Sequence, residues 1–184
     1  MRQALRLHPD SLCLPGLSVA AEASLARPGE LRLDYVLTAP ISGLRIPPLA
    51  ASARADELWR HTCFEAFLRA PPGQAYWEFN FTPSTEWAAY RFDSYRQGMK
   101  AARVTAAPMI AWRAEAQSGK LSATLALDEL PELPRDRPWR LGLSAIIEEA
   151  DGRKSYWALA HPPGAPDFHR ADGFALQIEA AVRA

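Results

Sequence analysis

A glutamate and an asparagine interrupt an aromatic strand-like run, WEFNF, in the segment Trp77–Phe81. Side chains alternate between the two faces of a strand, so Glu78 and Asn80 share one face and the aromatic rings share the other. An earlier run, Thr62–Arg69, places Glu65 on a comparable polar face. Carboxylates and amides on one sheet face can hydrogen-bond the hydroxyls of a polar ligand, and a close pair of carboxyls can act as general acid and base.

Three interpretations of this polar face remain open. The first is non-catalytic binding of a small polyhydroxylated ligand, most simply a carbohydrate. The second is an enzyme that uses Glu65 and Glu78 as acid and base on a saccharide-like substrate. The third is a structural or interaction domain without a small ligand, because antiparallel sheets often have one solvated face.

Further side chains are candidates to line a pocket with the two glutamates. Planar indoles stack on apolar ligand faces, arginines bind acceptors in a fixed fork, and imidazoles titrate near neutral pH. The candidates are Trp59, Arg60, His61, Trp87, Arg91, His161 and His169. The loop HPPGAPDFH, residues 161–169, also raises divalent-metal binding through its histidines and Asp167, against the alternative of a proline-fixed structural loop.

The elements that must position these residues are strands. Period-two alternation and turn signals predict about ten short strands and no long amphipathic helix, which favours an all-β antiparallel sandwich of jelly-roll type. The predicted hairpin turns include Arg27-Pro28-Gly29, Ser118-Gly119 and Asp151-Gly152. The predicted strands are Val19–Ala26, Glu30–Thr38, Ser42–Ile46, Thr62–Arg69, Ala75–Thr82, Trp87–Phe92, Met109–Gln117, Lys120–Leu127, Trp139–Glu149, Lys154–Ala160 and Gly173–Glu179.

Composition narrows the class of partner. The chain has 184 residues, which predicts a single domain over residues 1–184, and its 21 basic and 21 acidic residues balance. A net charge of zero argues against nucleic acid and anionic membranes as partners. Cys13 and Cys63 form neither a disulfide framework nor a zinc spacing, and no leader or membrane segment is evident, so we expect a cytoplasmic protein. No sequence feature specifies an oligomeric state.

Three blocks of the sequence resemble one protein family. They are WRHTCFEAFL (59–68), YWEFNFTPSTEWAAYRF (76–92) and LSAIIEEADGRKSYWALAHPPGAPDFHRADGFAL (143–176). They look like the bacterial DOMON-like proteins, an uncharacterised branch of the superfamily that contains the family-9 carbohydrate-binding modules and the DOMON domains. The resemblance runs from Leu31 to Leu176 and implies a jelly-roll-like β-sandwich.

The wider superfamily implies two kinds of ligand. Some of its members bind sugars between paired tryptophans, for which the candidates here are Trp59, Trp87 and Trp157. Others bind haem through a methionine and a histidine, for which Met99 with His61 or His161 would be needed. We expect carbohydrate-type binding without a resident cofactor, with haem and a divalent metal as the alternatives.

Overall fold

Two antiparallel sheets packed face to face form the fold. The computed structural model describes residues 1–27, 29–130, 132–134 and 136–179. The strands are β1 Gln3–Ala4, β2 Arg6–Leu7, β3 Ser18–Arg27, β4 Glu30–Thr38, β5 Cys63–Arg69, β6 Tyr76–Phe81, β7 Trp87–Phe92, β8 Lys100–Ala101, β9 Met109–Glu115, β10 Ser118–Ala126, β11 Trp139–Glu148, β12 Lys154–Ala158 and β13 Leu176–Ile178. Short 3₁₀ turns span Ile41–Gly43, Leu58–Arg60, Leu127–Glu129 and Ala171–Gly173. The all-β sandwich expected from the sequence is confirmed.

The smaller sheet shows the alternation of a strand with one wet face. Its five strands follow the order β1-β3-β4-β10-β9. In β4 every second side chain, Leu31 to Leu37, is fully buried, and the intervening residues are more exposed. This period-two pattern turns one face of the sheet toward the core and the other toward solvent.

The larger sheet is buried on both faces. Its eight strands follow the order β2-β12-β11-β5-β6-β7-β8, with β13 pairing β11. All six residues of β6 are buried. One face packs on the smaller sheet. For example, the centroids of the Tyr35 and Phe64 rings, from opposite sheets, lie 5.1 Å apart. The other face carries a second apolar cluster that contains Phe67, Tyr76 and Phe174. Polar side chains on that second face are therefore enclosed rather than solvated.

Two sequence-based predictions about local structure are wrong. The expected strand Ser42–Ile46 is instead the 3₁₀ turn Ile41–Gly43, with one isolated bridge from Leu44 to Glu149. The hairpin between β9 and β10 exists, but it turns at residues 116–117 rather than at Ser118-Gly119. Gly119 is needed for another reason: the indole of Trp112 lies where a Cβ atom would project.

The other predicted strands and the Asp151-Gly152 turn are confirmed to within a few residues, the last strand being shorter than predicted. Gly152 has the positive φ of 90° that a tight turn favours. Pro28 of the predicted Arg27-Pro28-Gly29 turn lies outside the described residues, as do Pro131 and Arg135. Within the described part of the chain, no helix has the length and hydropathy that a membrane crossing requires.

Candidate functional site

A cavity of about 410 Å³ lies on the face of the larger sheet that points away from the sandwich core. Its volume falls within the range of small-molecule sites. Strands β5, β6, β7, β11 and β12 form its floor and sides, and three segments between strands contribute the rest of its lining. The lining residues are Trp59, Glu65, Glu78, Tyr90, Phe92, Arg96, Met99, Ile146, Tyr156, Pro166, Phe168 and His169.

Two glutamates form the polar floor. Strand register pairs Glu65 with Asn80 and Phe67 with Glu78, so the glutamates are diagonal neighbours on the same face of adjacent strands. Their exposures are 3% for Glu65 and 5% for Glu78. The sequence-based expectation that Glu65, Glu78 and Asn80 share the face opposite the main core is confirmed.

The polar contacts of the floor are incomplete. Asn80 Nδ2 donates to Glu78 Oε1 at 2.9 Å, and the Ser144 hydroxyl donates to Glu65 Oε2 at 3.4 Å. Asn80 Oδ1 is buried and has no hydrogen-bond partner among the described residues. Buried polar groups in folded proteins are nearly always satisfied, so this floor differs from a closed structural network.

The burial of the glutamates shifts their ionisation. Burial and the nearby Glu78 carboxylate raise the pKa of Glu65 well above its usual range. Burial raises the pKa of Glu78 to about 7, although the hydrogen bond from Asn80 and the charge of Arg96 act in the opposite direction. The shift of Glu65 favours its neutral form, which can donate a hydrogen bond, whereas Glu78 is close to its titration midpoint near neutral pH.

A chain of hydrogen bonds in the wall ends beside Glu78. The backbone N–H of Arg96 donates to the Tyr76 hydroxyl at 3.2 Å, and that hydroxyl lies 2.9 Å from His169 Nδ1. Burial raises the pKa of Tyr76 to about 12, and burial together with the charge of Arg96 lowers the pKa of His169 to about 4. A neutral phenol that donates to a neutral imidazole leaves the proton on His169 Nε2, which lies 3.9 Å from Glu78 Oε2.

Arg96 contributes a positive charge to the wall, and an ion pair with Asp167 fixes its position. Its guanidinium lies 2.9 Å from Asp167 Oδ1, and the Tyr95 hydroxyl donates to the other oxygen of that carboxylate. Burial acts to raise the pKa of Asp167, but the hydrogen bonds from Tyr95, Arg96 and the His169 N–H outweigh it and lower the pKa. Arg96 has a φ of 53°, a left-handed backbone unusual for a residue with a side chain and often found at functional sites.

Aromatic rings form the rest of the enclosure. Tyr90 and Phe92 project from β7, and Tyr156 projects from β12. Tyr156 packs against Phe168 of the loop after β12 at 6.2 Å between ring centroids. Trp59 lies in the 3₁₀ turn Leu58–Arg60 and is 46% exposed, so its indole is accessible at the rim.

The structure brings four of the predicted site residues into the cavity and leaves others outside. Trp59, Glu65, Glu78 and His169 line it, and Asn80 supports Glu78 from the floor. Their role in ligand binding stays a prediction.

Arg60 and His61 face a neighbouring depression instead. Arg60 pairs with Glu57 at 2.6 Å and lies over the Trp59 ring. His61 Nδ1 lies 2.7 Å from Glu148 Oε2. These two side chains therefore have local partners outside the cavity.

The predicted placement of Trp87 and Arg91 in the pocket is wrong. Register pairs Trp87 with Phe81 and Arg91 with Trp77, which places both on the core-facing side of β7. Trp87 belongs to the main core, and Arg91 lies over the Trp77 ring and reaches Glu132 Oε2 at 2.7 Å. Arg91 appeared to mark a polar face because its long side chain can pass along the core to the sheet edge.

His161 and Trp157 also lie outside the cavity. His161 Nε2 bonds the Arg6 carbonyl at 2.8 Å, and the imidazole packs edge-on against His8. Trp157 faces the main core, where its indole N–H donates to Ser155. The side of β12 that faces the cavity presents Tyr156 instead, because Tyr156 pairs with Ile146.

The described residues offer little support for the metal and haem alternatives. No group of three or more histidine, cysteine, aspartate or glutamate side chains within the described ranges could hold a metal ion. In the loop over residues 161–169, Asp167 is engaged by Arg96, and the two histidines have separate partners. Met99 lines the cavity, whereas His61 and His161, the histidines expected to pair with it at haem, do not.

Several wall residues were not predicted from the sequence. Tyr90 and Phe92 could have been found by assigning β7 to the opposite face, since they alternate with Trp87 and Arg91. Arg96 and Phe168 lie in loops, where no periodicity predicts direction. Phe168 lies within the HPPGAPDFH segment that the sequence singled out, so composition marked the loop but not the residue.

A second depression of about 370 Å³ lies on the solvent face of the smaller sheet. Its side chains include Arg32, Lys120 and Met109. Arg32 and Lys120 both pair with Asp34, at 2.8 and 3.2 Å, and Met109 is 67% exposed. These groups are solvated surface residues, so this depression lacks the buried polar groups that distinguish the cavity on the larger sheet.

Comparison with known proteins identifies the fold. No protein-family profile and no curated protein matches the chain. A solved structure from Bacteroides uniformis, provisionally described as a carbohydrate-binding protein, matches with a TM-score of 0.66 and 13% identity over 94% of this chain and 83% of its own. The chain therefore has a fold like that of a carbohydrate-binding module.

A family-9 carbohydrate-binding module from Caldicellulosiruptor kristjanssonii also matches. Its complex with glucose has a TM-score of 0.54 and 11% identity over 98% of this chain and 86% of the module. Its complex with cellotriose has a TM-score of 0.51 and 10% identity over 87% of this chain and 74% of the module. At these identities the likeness concerns the fold.

Proposed function

We propose that this protein binds a small polyhydroxylated ligand, of the carbohydrate class, without catalysing its conversion. The observation that carries the proposal is the pair of enclosed glutamates on the floor of an aromatic-walled cavity. Similar structures are a provisionally described carbohydrate-binding protein and a module in complex with glucose and with cellotriose. These similarities support the ligand class, and the cavity supports the location.

The protonation states suit recognition of hydroxyl groups. A protonated Glu65 donates one hydrogen bond and accepts others, while an ionised Glu78 only accepts. The Nε2–H of His169 adds a fixed donor on the same side as Glu78. An apolar ring face of a sugar can pack on Trp59 or on the rings of Tyr90 and Phe92. A hydroxylated ring would thus meet donors and acceptors below and apolar surface beside it.

Titration calorimetry with glucose and cellotriose tests this function. We expect saturable binding that Glu78→Ala abolishes, because the substitution removes the main acceptor of the floor. Glu115→Ala is the matched control, since Glu115 is an exposed carboxylate on β9 of the other sheet. Binding that is unchanged in Glu78→Ala would refute the role of Glu78, and the absence of binding to any saccharide would refute the ligand class.

A second candidate is an enzyme acting on a saccharide-like substrate. The observation that favours it is the pair of neighbouring carboxyls with raised pKa values, since a general acid or base works best with a pKa near the working pH. It predicts turnover of oligosaccharides or aryl glycosides that Glu65→Gln and Glu78→Gln each abolish while binding is retained. Binding without turnover in the unsubstituted protein would favour the first proposal.

The finer classification belongs with these proposals. Assignment to the DOMON-like branch is supported by the three sequence blocks that contribute β5, β6, β7, β11 and β12, the strands around the cavity. The predicted single-domain extent and cytoplasmic location stay predictions.

A further inference from the structure

We propose that the ligand of this cavity carries an amino group, so that within the carbohydrate class the preferred ligand is an amino sugar whose ammonium lies against Glu65 and Glu78. This inference rests on the proposed function and narrows its substrate class. Four observations carry it: the charge balance of the lining, the aromatic enclosure, the unmatched polar floor and the ionisation of the glutamates.

The charge balance of the lining favours a cation. Among the described lining residues, the ionisable groups near the floor are the carboxyls of Glu65 and Glu78. The positive charge on the wall, Arg96, is already held by Asp167 at 2.9 Å. His169 is a neutral imidazole at neutral pH because burial and Arg96 lower its pKa to about 4. Arg96 acts on both glutamates only at longer range, so within the lining that the structure describes neither glutamate has a cation in contact.

The aromatic enclosure is the kind that binds ammonium groups. The rings of Tyr90, Phe92, Tyr156 and Phe168 line the cavity, and Trp59 stands at its rim. Cations are attracted to the faces of such rings, and cages of aromatic residues are the usual sites for alkylammonium ligands. The rings are held in place, since Phe92 stacks on Tyr76 with centroids 4.8 Å apart and packs edge-on to His169.

The floor has unused capacity to accept hydrogen bonds. Glu78 accepts from Asn80 through Oε1, and its Oε2 is 3.9 Å from His169, too far for a hydrogen bond. The Ser144 contact to Glu65 is long, at 3.4 Å. An ammonium group supplies three donors on one charged centre, which matches adjacent carboxylates better than a hydroxyl does.

Ammonium binding should release a proton. The groups around Glu78 that are charged or can titrate are Glu65, Cys63, Tyr76, Tyr90, Arg96, Asp167 and His169. Without a cation, burial and the charge of Glu78 favour the protonated form of Glu65, and burial leaves Glu78 about half protonated near neutral pH. A bound ammonium favours both carboxylates, so the O–H bond of Glu78 breaks, its electron pair stays on the carboxylate and the proton passes to the buffer. A neutral sugar provides no such charge.

The experiment is calorimetry at about pH 6.5 with four matched sugars, glucosamine, glucose, N-acetylglucosamine and glucuronate, and with ethanolamine as an amine that is not a sugar. Glucosamine differs from glucose by one ammonium group, and acetylation removes the charge. We expect glucosamine to bind about tenfold or more tightly than glucose. Repeating the titration in buffers of different ionisation enthalpy should show a proton released with glucosamine and none with glucose.

Substitution of the floor should remove the preference. Glu78→Gln should lower the affinity for glucosamine more than the affinity for glucose and reduce the number of protons released. Glu115→Gln, on the exposed edge strand of the other sheet, should change neither.

Each contrary outcome would refute a different claim. Equal affinity for glucose and glucosamine without proton release would overturn the amine inference and leave carbohydrate binding intact. Preference for glucuronate would overturn it in favour of anion recognition by Arg96. Binding of glucosamine and of ethanolamine but not of glucose would support the amine and overturn the carbohydrate class. No binding of any of these ligands would overturn both.

Discussion

Replacing Glu78 with glutamine should stabilise the protein above neutral pH and change its stability little at about pH 5. The folded-state pKa of Glu78 is raised from its ordinary value of 4.5 to about 7. Between these values the native protein binds more protons than the unfolded chain, so the stability of the unsubstituted protein falls as pH rises through this window. Glutamine stays neutral throughout and can still accept the hydrogen bond from Asn80 that Glu78 Oε1 accepts.

The magnitude follows from the size of the shift. A rise from 4.5 to about 7 corresponds to about 3 kcal/mol at about 1.4 kcal/mol per unit. The difference should be fully developed by about pH 8, where Glu78 is ionised in both the folded and unfolded states. For a chain of this size that corresponds to roughly 6–12 °C in unfolding temperature. Glu65 adds to the stabilisation of the variant, because the charge of Glu78 is one cause of the raised pKa of Glu65 and the substitution removes that charge.

Urea unfolding followed by tryptophan fluorescence, at about pH 5 and about pH 8, measures the effect. The quantity of interest is the change with pH in the difference between variant and unsubstituted protein, because other titrating groups cancel in it. Glu115→Gln, which removes an exposed carboxylate, should give the same difference at both pH values. If Glu78→Gln also gives a pH-independent difference, Glu78 is solvated in the folded protein and the description of the cavity floor is wrong.

Three further predictions follow from the cavity and its support. Trp59→Ala should weaken saccharide binding by up to about tenfold, the value of one aromatic contact, and leave the unfolding temperature nearly unchanged because the indole is 46% exposed. Arg96→Gln should raise the pKa of both Glu78 and His169, which the guanidinium charge now lowers, and NMR titration of the imidazole should detect the shift. Tyr35→Phe should destabilise the protein by about 1–3 kcal/mol in urea unfolding, because the Glu65 carbonyl loses a buried donor at 2.7 Å.

Control variants and contrary results test these predictions, and an unchanged imidazole titration in Arg96→Gln would show that the Arg96 charge does not act on His169. Met109→Ala, at a residue 67% exposed on the other sheet, is the control for Trp59 and should not change binding. Arg113→Gln, on the same sheet, should leave the imidazole titration of His169 as it is. Unchanged binding in Trp59→Ala would remove the indole from the site. An unfolding free energy in Tyr35→Phe equal to that of the unsubstituted protein would show that this bond between the sheets contributes nothing.

The floor of the cavity was predictable from the sequence, but the cavity-facing side of β7 was not. In β6, one set of alternate residues is wholly aromatic and the other contains Glu78 and Asn80, so the sequence itself distinguishes the faces. In β7, both sets mix apolar and amphipathic side chains, and Arg91 gave a false polar signal. Only the pairing register decides, because a shift of one residue exchanges the faces. The register places Tyr90 opposite Glu78.

The walls that come from loops were beyond prediction for a different reason. Arg96 and Phe168 lie outside regular strands, in segments where no repeating pattern relates sequence position to direction. Arg96 also has a left-handed backbone, which aims its N–H at the Tyr76 hydroxyl. The proline-rich composition of residues 161–169 marked a fixed loop, but whether its histidines bind a metal or line a cavity depends on which strands it crosses.

The energetics of the floor argue against a purely structural role for the glutamates. A sheet face enclosed on both sides would be more stable with apolar residues than with two carboxyls whose pKa values are raised by burial. A structural network would also satisfy its members, yet among the described residues Asn80 Oδ1 has no partner and Glu78 Oε2 accepts no hydrogen bond. Carboxyls that lower stability and remain unmatched on a cavity floor are expected where an incoming ligand completes them. For this reason the same substitution, Glu78→Gln, should raise stability above neutral pH and weaken ligand binding, whereas a structural role predicts that it would lower stability at every pH.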